Sequence, residues 1–156
     1  MKKNKISKNW INKQRRDIYV RKSKLEGYRS RAIYKLKEID DKFKIIRNGI
    51  KVVDLGSAPG SWSQYLSEKS KNSKILSIDL KDIEKIHNVT HLIGDFLDEK
   101  NQTIISNFFE DKLDLIVSDM AVNTTGNKNL DAISTGELSI NACLLYTSPS
   151  PRDVSR

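Results

Sequence analysis

The stretch VVDLGSAPGSWSQ, from Val52 to Gln64, decides the fold. Residues 50–55 predict a buried strand, because valine and isoleucine favour the pleated surface of a sheet. Gly56 and Gly60 follow it, and without a Cβ they let a ligand approach the backbone closely. A helical pattern then covers residues 61–67. A strand, a glycine turn and a helix N-terminus in succession predict a nucleotide-type binding site in an open α/β sheet.

The charge of this 156-residue chain is uneven, although its length corresponds to a single domain. Residues 1–51 hold 18 lysines and arginines against 5 acidic residues, a balance of +13, whereas residues 52–156 hold 10 against 15, a balance of −5. Trp10 and Tyr19 lie among the cations. Charge interleaved with aromatic rings is typical of RNA binding, so we predict a basic RNA-binding arm over residues 1–27. A lysine-rich solvated surface is the alternative interpretation.

The sequence also limits where the protein works. It contains no apolar run of about 18 residues, so we expect no membrane contact. Its basic N-terminus has no apolar segment after it and is not a secretory signal. The one cysteine, Cys143, has no partner for an internal disulfide, which suits a reducing compartment. We therefore expect a cytoplasmic protein, and we expect it to be a monomer.

Strand and helix patterns alternate along the chain. Residues 30–43 predict a helix that is capped by Ser30 and buries Ile33, Leu36, Ile39 and Phe43. Strands separated by helices indicate a parallel sheet with right-handed crossovers, so we predict an α/β fold. The further predicted strands cover residues 74–79, 91–94 and 113–118, and the further helices cover residues 96–110 and 130–140.

The pattern changes near the end of the chain. CLLYTSPSPRDVSR, residues 143–156, breaks the amphipathic pattern, and its SPSP run cannot continue a helix. Residues 143–153 also resemble the translation of a transposase sequencing adapter. We predict a non-native tail over residues 143–156, and a domain over residues 28–142 whose sheet is incomplete at the C-terminus.

Four aspartates follow the predicted strands: Asp54, Asp79, Asp95 and Asp119. Because the ends of parallel strands meet at one edge, a ligand there is expected to touch all four. Asp79 comes 19 residues after Gly60, the place of an acidic residue that holds a ribose. A single aspartate is more often a turn former, but four in register with a glycine turn favour a ligand site.

Several enzyme classes are disfavoured by the spacing of the motifs. GSAPGSW lacks the glycine spacing of dinucleotide enzymes and the G-K-[ST] of P-loops. The sequence has no zinc-type cysteine pair, no H-E-x-x-H and no nucleophile elbow. We therefore expect no metal site, and interpret His87 and His91 as packing or surface residues. Of the nucleotide-type sites considered, the one that these exclusions leave is a class I S-adenosylmethionine-binding site.

DLGSAPGSWSQ, with SID, GDF and SDMAVN after it, closely resembles the FtsJ/RrmJ (RlmE) family of ribosomal RNA 2′-O-methyltransferases. The upstream GYRSRAIYKLKEID is similar to the family helix that carries its first catalytic lysine. The resemblance covers roughly residues 10–141 and implies a Rossmann-like class I methyltransferase sheet. It implies S-adenosyl-L-methionine as the cofactor, with Gly60 and Trp62 contacting its methionine part through their backbones, Asp79 its ribose or adenine side, and Asp95 its adenine amine.

The resemblance also implies a catalytic pair. Lys35 is similar to the first catalytic lysine, and Asp119 both belongs to the catalytic set and lies near the methionyl end of the cofactor. The family's second lysine, its general base, and its glutamate have no counterpart in these 156 residues; Glu137 does not match the glutamate's position. Val122 stands where the family usually has proline. We therefore expect weakened cofactor binding and no turnover from this chain.

The reaction implied is methyl transfer to the 2′-hydroxyl of a uridine in large-subunit ribosomal RNA, with the large ribosomal subunit as partner. A 2′-O-methyltransferase of tRNA or mRNA is an alternative within the same class. A non-catalytic RNA-binding module that keeps the cofactor fold is an alternative from another class. A nicotinamide-dependent dehydrogenase is the weakest alternative, because its glycine spacing is absent.

Overall fold

The fold is an α/β arrangement built on a parallel sheet, in a computed structural model that describes residues 13, 17–110, 112–120 and 127–147. The helices among these residues are α1 (Ile18–Leu25), α2 (Ile33–Phe43), α3 (Ser61–Lys69), α4 (Glu99–Phe109) and α5 (Lys128–Thr147), and the strands are β1 (Lys51–Leu55), β2 (Lys74–Asp79), β3 (Val89–Ile93) and β4 (Leu115–Ser118).

The four strands form one sheet in the order β3-β2-β1-β4. Every pair is parallel, and Val53 in the centre of β1 lies beside Leu76 on one side and Ile116 on the other. This confirms the predicted α/β fold with a parallel sheet. The carboxyl ends of all four strands therefore lie along one edge, where the glycine turn leaves β1.

Apolar residues cover both faces of the sheet, as expected for parallel strands. On one face Val52 packs in a cluster with Leu36 and Trp62, so α2 and α3 lie on that side. On the other face Val53 packs with Ile105 and Phe109 of α4. The alternation of Val52 and Val53 to opposite faces follows from the two-residue period of a strand. The glycine turn connects the end of β1, at the edge of this sheet, to the start of α3.

The core stripe predicted for α2 is wrong in its second half. Leu36 is buried, but Ile39 is 41% exposed and Phe43 is 63% exposed. The buried residue of the last turns is Asp40, whose carboxylate accepts hydrogen bonds from the backbone N–H of residue 46 at 2.9 Å and from the Tyr65 hydroxyl at 3.2 Å. A buried carboxylate satisfied in this way fixes the end of the helix, and an apolar pattern does not reveal it.

Some predicted boundaries also differ from the structure. The N-cap of α2 is Ala32, not Ser30; the Ser30 hydroxyl instead forms a 2.7 Å hydrogen bond with the Ser61 hydroxyl at the start of α3. Helix α4 begins three residues later than predicted because the Asp98 carboxylate caps it, accepting from the backbone N–H of Lys100 at 2.9 Å. Strand β2 has the predicted bounds.

The ends of the chain fall partly outside the described residues. Helix α1 lies within the predicted basic arm; residues 1–12 and 14–16 of that arm, including Trp10, are outside the described part. Helix α5 continues to Thr147, past the predicted domain end at residue 142, and residues 148–156 are not described. Within the described ranges no helix is long and apolar enough to cross a membrane.

Candidate active site

The turn that follows β1 contains two backbone conformations that favour glycine. Gly56 has a φ of +71° and Gly60 a φ of +100°, both in the region that side chains with a Cβ rarely adopt. A Cβ on Gly56 would overlap the Met120 side chain, and one on Gly60 would lie 3.0 Å from Nη1 of Arg29. Both positions are therefore restricted by backbone conformation and by a neighbouring side chain.

Arg29 holds the outer side of this turn, a role that the sequence did not reveal. Its guanidinium donates hydrogen bonds to the carbonyl oxygens of Pro59 at 3.2 Å, Glu84 at 2.8 Å and Lys85 at 3.3 Å. One side chain thus joins the segment before α2, the glycine turn and the β2–β3 connection. Carbonyl oxygens are present at every residue, so no sequence pattern could have identified these partners.

Asp79 and Asp95 line one cleft of about 420 Å³ at the edge of the sheet. Asp79 accepts hydrogen bonds from the backbone N–H groups of Ala58 and Lys81, each at 2.9 Å, and Asp95 accepts one from Leu97 at 2.9 Å. These bonds fix both carboxylates beside the turn. The predicted Gly56 and Asp119 also line the cleft. Residues that the sequence did not single out complete it: Ile78, Leu80, Gly94, Phe96, Leu97 and Met120.

Asp54 behaves differently from the other three aspartates. It is 1% exposed, and its carboxylate accepts a 2.7 Å hydrogen bond from the Ser63 hydroxyl. Burial raises the pKa of Asp54 to about 7, against the lowering effect of Ser63 and with a smaller contribution from Asp79 and Asp119. The expectation that one cleft touches all four aspartates is therefore corrected: Asp54 lines a separate, smaller niche.

Lys35 and Asp119 form an ion pair across the mouth of the site. The distance from Lys35 Nζ to Asp119 Oδ1 is 2.7 Å, and the side chains are 66% and 32% exposed. Lys35 lies on α2 and Asp119 directly follows β4, so the folded sheet brings together groups that are 84 residues apart in sequence.

Trp62 and Gly60 lie on different sides of the turn. The Trp62 indole Nε1 donates a 2.7 Å hydrogen bond to the carbonyl oxygen of Ala32, which joins α3 to the start of α2. Trp62 is largely buried and lines the small niche. Gly60 is covered by Arg29 and by the side chains of Ile83 and Ile86, and it does not line the cavities described in this section.

Three cavities meet at Asp119. The 420 Å³ cleft lies on one side; a niche of about 60 Å³ lies beneath the start of α3; and a cavity of about 610 Å³ lies on the α2 side, next to Lys35. In the niche, the buried Ser57 hydroxyl has no hydrogen-bond partner in the described part of the chain. A buried, unpaired hydroxyl is costly, so either a water molecule or a polar ligand group would stabilise it.

The arrangement fits a ligand with different chemistry at its two ends. The carboxylates of Asp79 and Asp95 accept hydrogen bonds from hydroxyl and amine groups. The niche borders the N-terminus of α3, where backbone N–H groups and the helix dipole favour an anionic group. Asp119 lines both regions, and its carboxylate is paired with the Lys35 ammonium at 2.7 Å.

A sequence model described as FtsJ-like methyltransferase matches residues 28–149. The chain belongs to the FtsJ-like methyltransferase family. The family assignment and the parallel sheet confirm the resemblance found in the sequence. The individual roles of Lys35, Gly60, Trp62, Asp79, Asp95 and Asp119 remain predictions.

Relatives in this family include proteins named ribosomal RNA large subunit methyltransferase E. The one from Pelagibacter ubique is 61% identical over 142 residues, covering 91% of this chain and 70% of the relative. The one from Rickettsia akari is 48% identical, covering 83% of this chain and 60% of the relative. A solved ribosomal RNA methyltransferase from Plasmodium falciparum is 35% identical with a TM-score of 0.66, covering 73% of this chain and 68% of that one.

Proposed function

We propose that this chain carries the cofactor site and the first catalytic lysine of a cytoplasmic methyltransferase for the 2′-hydroxyl of a uridine in large-subunit ribosomal RNA. The observation that carries the proposal is the meeting of three cavities at Asp119, with Lys35 paired to it. A cofactor on one side of Asp119 and an RNA nucleotide on the other would face each other there. The names of the FtsJ-like relatives support ribosomal RNA as the substrate.

The residues present fit S-adenosyl-L-methionine, which when bound supplies an electrophilic methyl group on a sulfonium. Asp79 would accept from the ribose hydroxyls and Asp95 from the adenine amine. The unpaired Ser57 hydroxyl, with the backbone of Ser61 and Trp62, would hold the methionyl end. The carboxylate of Asp119 would stabilise the cationic part of the ligand.

Lys35 and Asp119 would position the reacting hydroxyl. As an ammonium, Lys35 has three donors and no lone pair, so it orients the 2′-oxygen by donating to it and does not take its proton. Asp119 fixes the Lys35 ammonium at 2.7 Å, which sets where that donor points. Because methyl transfer is an in-line displacement, this positioning supplies a large part of the rate.

We propose that this 156-residue chain by itself binds the cofactor but does not catalyse methyl transfer. Among the described residues, Lys35 is the one lysine that lines any of the three cavities; it lines the 610 Å³ cavity, and its ammonium is paired with Asp119. A 2′-hydroxyl is a weak nucleophile at neutral pH and needs a base. The chain incubated with tritiated cofactor and hypomethylated large subunits should give no methylated RNA, and steady turnover would refute this statement.

A chimera tests the function itself. Residues 1–142 of this chain replace the matching part of the Pelagibacter ubique relative, with Lys35 intact or as Lys35→Ala. We expect the intact chimera to produce 2′-O-methyluridine in large-subunit RNA, detected by mass spectrometry of nucleosides. The Lys35→Ala chimera should lose at least about a hundredfold in rate while keeping its affinity for the cofactor. Methylation of a base instead of a ribose, or equal methylation of tRNA, would overturn the proposal.

A further inference from the structure

We propose that the 610 Å³ cavity on the α2 side holds the base of the target nucleotide, with Tyr19 and Tyr34 as its stacking surface and Glu38 accepting the imino N–H of uracil. The inference rests on the proposed function, since it names how that site would recognise its substrate. The proposal is carried by the residues that line the same cavity as Lys35 and Asp119: two aromatic rings, and a carboxylate that has no partner among the described residues.

The cavity has the position and the size for a nucleotide. Its volume of about 610 Å³ falls in the range of small-molecule pockets, and Lys35 and Asp119 lie on its wall. A base held in it would therefore place its own ribose near the ion pair. Proteins that read single-stranded RNA commonly splay a base out and stack it on an aromatic side chain.

The two tyrosines form a fixed surface along this wall. Their ring centroids lie 5.5 Å apart with a tilt of 46°. Two contacts with other residues fix the Tyr34 side chain. Its hydroxyl donates a hydrogen bond to the Glu26 carboxylate at 3.0 Å, and the Lys22 ammonium lies 4.9 Å from its ring centroid. Tyr19 is 56% exposed and lines the cavity. An ion pair between Arg31 and the N-cap residue of α1 fastens α1, and with it Tyr19, beside α2.

Glu38 gives the cavity its preference between bases. It is exposed, follows Lys35 by three residues on α2, and has no hydrogen bond or ion pair with the described residues. A free carboxylate repels an RNA backbone, so its use in this place is to accept a hydrogen bond from a base. Uracil offers an N–H at position 3, whereas cytosine offers a bare acceptor nitrogen there, which a carboxylate disfavours.

Cationic side chains lie on the helix that carries Tyr19. Arg21, Lys22 and Lys24 of α1 are exposed. They would attract the RNA phosphates without regard to sequence, while the cavity selects the base. Helix α1 would thus supply the attraction for phosphates, and the cavity wall formed by α2 would supply the selection of the base.

Photo-cross-linking of the chain to a large-subunit ribosomal RNA transcript that contains 5-iodouridine tests the inference. We expect the cross-linked peptide to contain Tyr19 or Tyr34. Tyr19→Ala should lower both the cross-linking yield and the affinity for the RNA about tenfold. Tyr19→Phe, which keeps the ring, should retain the wild-type affinity and yield. Phe43→Ala is the matched control, because Phe43 is an exposed aromatic residue on the far end of α2.

Base preference is measured with short oligonucleotides that differ by a single uridine or cytidine. Glu38→Gln should remove most of the preference for uridine, and Asp41→Asn, an exposed carboxylate on the same helix, should leave it unchanged. Cross-links that map away from Tyr19 and Tyr34, or Tyr19→Ala with wild-type affinity, would overturn the inference. Titration with S-adenosylmethionine separates the two proposals: cofactor binding without cross-linking at Tyr19 or Tyr34 contradicts the base site alone, whereas the absence of cofactor binding contradicts the proposed function.

Discussion

Asp54→Asn is the substitution whose effect is best defined by the structure. Asp54 is buried under α3, and its carboxylate accepts a 2.7 Å hydrogen bond from the Ser63 hydroxyl. Asparagine has nearly the same shape, and its amide oxygen can accept the same bond. The substitution therefore removes the ionisable group and leaves the packing unchanged.

The sign of the effect follows from the direction of the pKa change. Burial raises the pKa of Asp54 from 3.8 to about 7. Between these values the folded chain holds a proton that the unfolded chain has lost, so the free energy of unfolding falls as the pH rises. At about 1.4 kcal/mol per pKa unit, the wild type should lose about 4 kcal/mol over this window, and nothing further above pH 7.

Urea unfolding at pH values from 4 to 8, followed by tryptophan fluorescence, measures this difference. The Asn variant should match the wild type near pH 4 and exceed its stability by up to about 4 kcal/mol at pH 8. Asp41→Asn, at an exposed carboxylate, controls for other titrating groups and should differ from the wild type by a small amount. A difference between Asp54→Asn and the wild type that does not change with pH would refute the reasoning.

Three further substitutions test the site. Gly56→Ala adds a Cβ that overlaps Met120 and strains a φ of +71°, so the free energy of unfolding should fall by about 1–3 kcal/mol and calorimetry should show at least about tenfold weaker cofactor binding. Trp62→Phe removes the hydrogen bond to Ala32, which should lower the urea midpoint by an amount equivalent to about 1 kcal/mol. Ser57→Ala removes an unpaired hydroxyl, so thermal stability should not fall while calorimetry shows cofactor affinity reduced severalfold.

The sheet could be predicted because its signals are local. Runs of β-branched residues define β1 and β2, and the positive φ values of Gly56 and Gly60 account for the glycines that end β1. The position of Asp54 could have been found from the same signals: since β1 continues to Leu55, the two-residue period places Asp54 inside the sheet, on the face that carries α3.

The features that were missed depend on tertiary contacts. The buried carboxylate of Asp40 interrupts an apolar pattern and is stabilised by partners that are distant in sequence. Arg29 donates hydrogen bonds to backbone carbonyl oxygens, and because every residue has such an oxygen, the sequence does not identify these partners. The pairing of Lys35 with Asp119 spans 84 residues, and it could be anticipated through the family resemblance but not from spacing.

A calorimetric titration of the folded chain with S-adenosylmethionine tests the central claim most directly, with Asp79→Asn as the matched variant. We expect one binding site per chain, and weaker binding in Asp79→Asn, because that carboxylate lines the cleft and is proposed to accept from the ribose. A folded chain that gives no heat of binding, or a variant that binds as tightly as the wild type, would contradict it.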